Sequence, residues 1–160
     1  MPSFSKDHRH QVLIRDKWIT RRGGKKVYKV GNRYGIQSGR GTPTMWLLDG
    51  GKVEAITNPR NFFAPTARPK TAKEASQRFE EFAGAVRCEF TVTKAWQEPL
   101  HAIAEDEAWG EGGYTVASYR DEWERLNGKW DDDQIVTVVH FEITDELYEL
   151  YQKYLAQGVG

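Results

Sequence analysis

Residues Asp16 to Arg40, DKWITRRGGKKVYKVGNRYGIQSGR, hold one acid, Asp16, against eight lysines and arginines. A stretch this charged is not core, because an isolated buried charge is far too costly. It is expected to face solvent or a polyanion. Gly23-Gly24 and Gly31-Asn32 punctuate it as turns. Between them Lys25 to Lys29 alternates apolar and basic residues, with Val27 and then Val30 predicted inward. Arg33 to Gln37 reads as a short strand with Tyr34 and Ile36 on one face. Near the start, Lys17, Thr20 and Arg22 form a compact cluster of reactive residue types.

Outward from this stretch the signals alternate between strand and helix. Met45 to Leu48 is a hydrophobic strand, Asp49-Gly50-Gly51 a hairpin turn, and Lys52 to Ile56 the return strand. Residues 57–71 contain three prolines and read as a loop pinned by Phe62 and Phe63. Thr71-x-x-Glu74 is a capping box. The helix it opens buries Ala75, Phe79, Phe82 and Val86 and stops near Gly84. Arg87 to Lys94 alternates cleanly, with Cys88, Phe90 and Val92 inward. Ala102 to Trp109 is a short acidic helix ended by Gly110. Thr115 caps a helix with Val116, Tyr119, Trp123 and Leu126 in one stripe, and Asn127-Gly128 closes it. Gln134 to Ile143 is the longest and most β-prone run and is placed centrally. Thr144 caps a terminal helix with Leu147, Leu150, Tyr151, Tyr154 and Leu155 inward. Upstream, residues 1–8 read as a frayed start, and His8 and His10 as a polar lead-in around the patch Val12, Leu13 and Ile14. Short strands, hairpin signals and irregularly placed helices predict an α+β protein: a small mixed β-barrel with flanking helices.

Composition narrows the functions. The chain has 160 residues, 39 % hydrophobic and 29 % charged, with six tryptophans, which fits one folded domain over 1–160. No apolar run approaches the roughly 18 residues of a membrane span. The N-terminus lacks a signal-length hydrophobic run, so a cytoplasmic protein is expected. Cys88 is the one cysteine, which excludes an internal disulfide and a Cys-based zinc site. Zero net charge hides a polarised chain. Residues 1–44 hold eleven basic and two acidic side chains, 45–94 eight and six, 95–160 four and fifteen. Either the basic third meets a polyanion or the two ends pair within the fold. No phosphate-binding loop, dinucleotide fingerprint, HExxH or GxSxG is present. The acidic runs 105–107 and 131–133 read as solvated turns or helix ends, since consecutive acids do not converge on an ion. No metal or cofactor is predicted. Trp96, Trp109, Trp123 and Trp130 read as packing residues.

Three separated pieces resemble an ASCH domain of the PUA-like superfamily. They are Val12, Leu13, Lys17, Thr20 and Arg22; the run Lys29 to Arg40; and EGGYTVASYRDEWERLNGKW followed by QIVTVVHFEI. They cover about half the chain in the family's order. Two departures stand out. The family often has glycine two residues before the lysine, where this chain has Arg15. Residues 41–86 are longer than the usual connection and read as an insertion. The resemblance implies a small PUA-like β-barrel that binds RNA or modified nucleobases. One branch hydrolyses the acetyl amide of N4-acetylcytidine with a lysine, a threonine three residues on and a glutamate; other members are reported as ribonucleases. Those catalytic residues fall here on Lys17, Thr20 and Glu111.

Three function classes follow, the third a protein-interaction module in which the inserted segment 41–86 is the contact surface. As a binding module, Arg21, Arg22, Lys25, Lys26, Lys29, Arg33 and Arg40 would contact phosphates without reading sequence. Trp18 and Tyr28 would stack bases, although Trp18 reads equally as core. The partner would be RNA, single-stranded nucleic acid or a modified nucleoside, with no membrane. As an amidohydrolase, Lys17 would be the base, Thr20 the nucleophile, Glu111 the proton shuttle and Arg22 the oxyanion donor.

Overall fold

The structure, a computed structural model, describes residues 4–23, 27–38, 42–56, 60 and 63–157, with only the backbone at 65, 72, 82 and 83. In chain order the described elements are α1 (Lys6–Leu13), β1 (Ile19–Arg22), β2 (Arg33–Gly35), β3 (Met45–Leu47), β4 (Val53–Ala55), α2 (Ala72–Ala83), β5 (Val86–Arg87), β6 (Glu89–Pro99), α3 (Glu105–Gly110), α4 (Val116–Asn127), β7 (Ile135–Glu142) and α5 (Asp145–Ala156). The architecture is α+β, with a curled antiparallel half-barrel sheet, a second sheet and five α-helices among the described residues. No helix of these residues is long and apolar enough to cross a membrane.

The chain divides into two compact units. The first comprises Met1–Arg9, Tyr34–Glu89 and Thr144–Gly160. Its sheet runs β4-β3-β5. The predicted hairpin is present, with Met45 opposite Ala55 and Leu47 opposite Val53. Trp46 packs edge-on against Phe79 at 5.0 Å. The Thr71 hydroxyl accepts the Glu74 N–H at 3.1 Å, and α2 ends at Gly84 with φ 62°, a left-handed cap that suits glycine. Thr144 caps α5 by accepting the Leu147 N–H at 3.2 Å. Leu147, Tyr151 and Tyr154 are buried as predicted. Phe62 and the Phe82 side chain lie outside the described residues.

The second unit comprises His10–Arg33 and Phe90–Ile143. Its sheet runs β1-β7-β6, with β2 at the far edge entering through Arg33. The predicted central strand is therefore central. Opposed residues of an antiparallel pair share a face. Ile19 opposes His140, Thr20 opposes Val139, Arg21 opposes Val138 and Arg22 opposes Thr137. One face thus carries Ile19, Arg21, Val138 and Val136. Leu100, Ile103, Ala108, Tyr119, Trp123 and Trp130 cover it in one hydrophobic cluster. The other face carries Thr20, Arg22, Val139 and Thr137.

Several expectations need correction. Residues 6–13 are helical, because Ser5 acts as a cap: its hydroxyl accepts the His8 N–H at 3.3 Å and its carbonyl the Arg9 N–H at 2.8 Å. Around residue 28 the predicted parity is reversed: Val27 and Val30 are exposed and Tyr28 is buried, the aromatic ring being the larger apolar surface to remove from water. β6 continues past Lys94 to Pro99, with a register shift between Val92 and Lys94. Leu126 and Trp109 are exposed, so neither is a packing residue of this unit.

Gly110 closes α3 for a reason beyond helix termination. Its carbonyl accepts the Trp18 N–H at 3.0 Å. A Cβ there would lie 2.4 Å from the Trp18 ring and 2.9 Å from Ile19. Gly110→Ala is therefore expected to destabilise the protein by about 1–3 kcal/mol through overpacking, measured by urea denaturation. An unchanged midpoint would show that the α3–β1 contact is not tight.

Candidate functional site

The site begins at the end of α1. The Gln11 carbonyl accepts the N–H groups of Asp16 at 2.9 Å and Lys17 at 3.0 Å. The chain makes that turn through Arg15, whose φ is 64°. Lys17 is thereby directed inward and is buried. Its ammonium donates to the Ile19 carbonyl at 3.2 Å, to the Glu111 carbonyl at 2.5 Å and to Glu111 Oε2 at 3.2 Å. Glu111 follows the glycine locked against Trp18, so backbone packing sets its position. Its neighbour Gly112 accepts from Gln11 Nε2 at 3.1 Å. Burial pushes the Lys17 pKa below its ordinary 10.5; the Glu111 carboxylate opposes this and Arg22 adds to it.

The two arginines of β1 part company. Arg22 is half-buried, and its Nε donates to Thr20 Oγ1 at 3.0 Å. Thr20 is itself buried. Arg21 turns to the opposite face and has no exposed side-chain surface. Its NH2 pairs with Glu98 Oε1 and Glu107 Oε2, both at 2.8 Å, and its NH1 stands 3.9 Å from Glu111 Oε1. The expected phosphate contact does not hold for Arg21, whose guanidinium faces three carboxylates inside the unit. Glu107 is correspondingly no solvated helix end. Tyr119 is buried in the same region; burial first, and then the Glu111 charge, push its phenol well above the ordinary range.

Other predicted binding residues are distributed differently. Lys29 and Arg33 are exposed. Lys25, Lys26 and Arg40 lie outside the described residues. Tyr28 is buried and presents no stacking face to solvent. Trp18 is partly buried against the hydrophobic cluster. Its ring meets His140 edge-on at 5.2 Å, and Trp96 lies 5.0 Å from the same imidazole. Burial lowers the His140 pKa from 6.5.

The structure therefore brings Lys17 to Glu111 and Arg22 to Thr20. Sequence reasoning missed Glu98, Glu107 and Tyr119. The alternation of β1 was the available signal, since Arg21 shares the face of the core residue Ile19. Among the described residues no group of three His, Cys, Asp or Glu side chains is arranged for a metal. Glu98, Glu107 and Glu111 converge on a guanidinium instead.

Comparison with known proteins adds little. No protein-family model matches the chain, and no curated protein does. A crystal structure of protein EF3133 from Enterococcus faecalis, described by the family label DUF984, is similar at 15 % identity and a TM-score of 0.46, over 95 % of this chain and 82 % of that one. A likeness that low transfers neither ligand nor activity.

Between its lowered folded value and 10.5, Lys17 holds its proton only in the unfolded chain. The unfolded state then binds more protons, so this residue's contribution to stability rises with pH in that window. Wild type should gain stability relative to Lys17→Met as pH is raised from neutral towards 10, in urea titrations at each pH. A difference that stays flat or falls would mean that the lysine keeps its charge.

Proposed function

We propose that the second unit binds a modified nucleobase, free or within single-stranded RNA, at Lys17, Thr20, Arg22 and Glu111. One observation carries the reading. A buried ammonium and a buried carboxylate meet at 3.2 Å, while the half-buried Arg22 donates to the Thr20 hydroxyl within β1. Such a set of donors and acceptors suits the polar edge of a heterocycle. The exposed Lys29 and Arg33 add the sequence-independent attraction that a phosphate backbone would feel. The resemblance to ASCH domains points to the same ligand class.

The lowered Lys17 pKa favours a second reading, hydrolysis of an acyl amide on the base. In that reaction Lys17, once deprotonated, takes the Thr20 hydroxyl proton as Oγ1 attacks the amide carbon. Arg22 stabilises the oxyanion. Glu111 passes the proton from Lys17 to the leaving amine. Water then cleaves the Thr20 ester and releases the acid.

The test is incubation of the purified protein with N4-acetylcytidine and a panel of other acylated nucleosides, with binding followed by calorimetry and products by chromatography. Wild type is expected to bind N4-acetylcytidine and release cytidine and acetate. Lys17→Ala should lose about 10²- to 10⁴-fold in rate, the usual range for a removed acid–base group. Binding without turnover would remove the second reading and leave the first. Folded wild-type protein that binds neither the panel nor single-stranded RNA would sink both.

A further inference from the structure

The Arg21 guanidinium is paired in an uncommon way. An arginine and a carboxylate frequently meet as a fork, with two parallel N–H···O bonds. Here one nitrogen, Nη2, donates to two carboxylates, Glu98 Oε1 and Glu107 Oε2, both at 2.8 Å. Among the described residues its Nε and Nη1 have no hydrogen-bond partner, although both are buried. Glu111 Oε1 is likewise buried without one, and it stands 3.9 Å from Nη1. Unmet donors and an unmet acceptor thus face each other about 1 Å beyond hydrogen-bond range.

Buried polar groups without partners are costly, so something keeps these two apart. Each carboxylate on Nη2 is fixed at its far oxygen. Glu98 Oε2 accepts the Trp96 indole N–H at 3.0 Å. Glu107 Oε1 accepts the Ala104 N–H at 3.2 Å, at the start of α3. Closing on Glu111 would draw the guanidinium off these anchored carboxylates. Glu111 meanwhile gives its other oxygen to Lys17 at 3.2 Å. Arg21 and Lys17 are therefore rivals for one carboxylate. The neighbouring groups do not settle the rivalry. Arg22 only adds repulsion at Lys17. Tyr114 and Tyr119 feel the Glu111 charge, but burial raises both phenols and keeps them neutral.

We propose that Glu98 and Glu107 are positioning residues for the Lys17–Glu111 pair: pinned at their far oxygens, they hold the Arg21 guanidinium back from Glu111 and leave that carboxylate as the counter-ion of Lys17. With Arg21 held back, Glu111 favours the charged form of Lys17. With Arg21 closed on Glu111, Lys17 loses that support and gives up its proton at lower pH. Glu98 and Glu107 touch Arg21, and they act on Lys17 only through Glu111. The assignment rests on the reading of Lys17 and Glu111 as the working pair of the site, whichever ligand it takes.

The experiment follows the carbon resonance of Lys17 Cε through a pH titration, with the signal identified by its loss in Lys17→Met. It compares wild type, Glu107→Gln, Glu111→Gln and the double variant. Glu107→Gln should lower the proton affinity of Lys17 by about tenfold, the lower end of what a neighbouring opposite charge confers. In the Glu111→Gln background the same change should add less than about twofold, because the route through Glu111 is gone. Trp96→Phe removes one anchor and alters no charge. It should shift Lys17 in the same direction, and it decides the matter if Glu107→Gln does not fold. An unchanged Lys17 titration in Glu107→Gln or in Trp96→Phe would overturn the assignment. So would an equal effect of Glu107→Gln with and without Glu111, since Glu107 would then act by its own field. The titration uses no nucleoside, so its outcome is separate from that of the binding and turnover tests on the proposed ligand.

Discussion

The second unit depends on the burial of one guanidinium. Arg21 has no exposed side-chain surface and is held at 2.8 Å by carboxylates from β6 and α3. An unpaired cation in that position would be intolerable, so Glu98 and Glu107 have to converge on it. Their convergence ties α3 to β1 across the sheet edge. Glu111, one residue past α3, is then brought between Arg21 and Lys17, with one carboxylate oxygen towards each cation. The candidate site is a by-product of this structural ion network, extended by one residue. Removing a single carboxylate from such a buried set typically costs about 3–5 kcal/mol, because it leaves the charge uncompensated.

The charge polarity of the chain acquires a partial explanation from the same network. The acidic last third supplies Glu98, Glu107 and Glu111, and the basic first third supplies Lys17 and Arg21. These pairings account for two of the cations by internal compensation. Lys29 and Arg33 are exposed.

Legibility in the sequence followed the range of the determining interaction. The caps at Thr71, Thr115 and Thr144 could be read because each acts on an N–H three residues away. The central position of β7 could be read from an uninterrupted β-prone run. The meeting of Lys17 with Glu111 was expected only through the family resemblance, as nothing local links residues 94 positions apart. For Arg21 the alternation with Ile19 was a local clue to its direction, but its partners were not legible. In the tetrapeptide Ile19–Arg22 both faces carry an arginine, and partners 77 and 86 positions away decide which one turns inward. Helix α1 was missed because its cap, Ser5, precedes a polar run whose apolar residues gather only at its end.

Arg15 meets a backbone requirement that glycine would meet without strain. The observed φ of 64° lies in the left-handed region, which is open to glycine and strained for other residues, at roughly 1–2 kcal/mol. The strain buys the turn that directs Lys17 inward. A glycine would remove it but would also free the unfolded chain at that position. Arg15 has a compensation that glycine lacks, since its guanidinium donates to the Ile143 carbonyl at 3.3 Å, at the end of β7. That bond joins the turn before β1 to the strand that pairs with β1, so the same side chain that strains the turn also fastens it. The geometry around Lys17 therefore does not require a glycine at position 15.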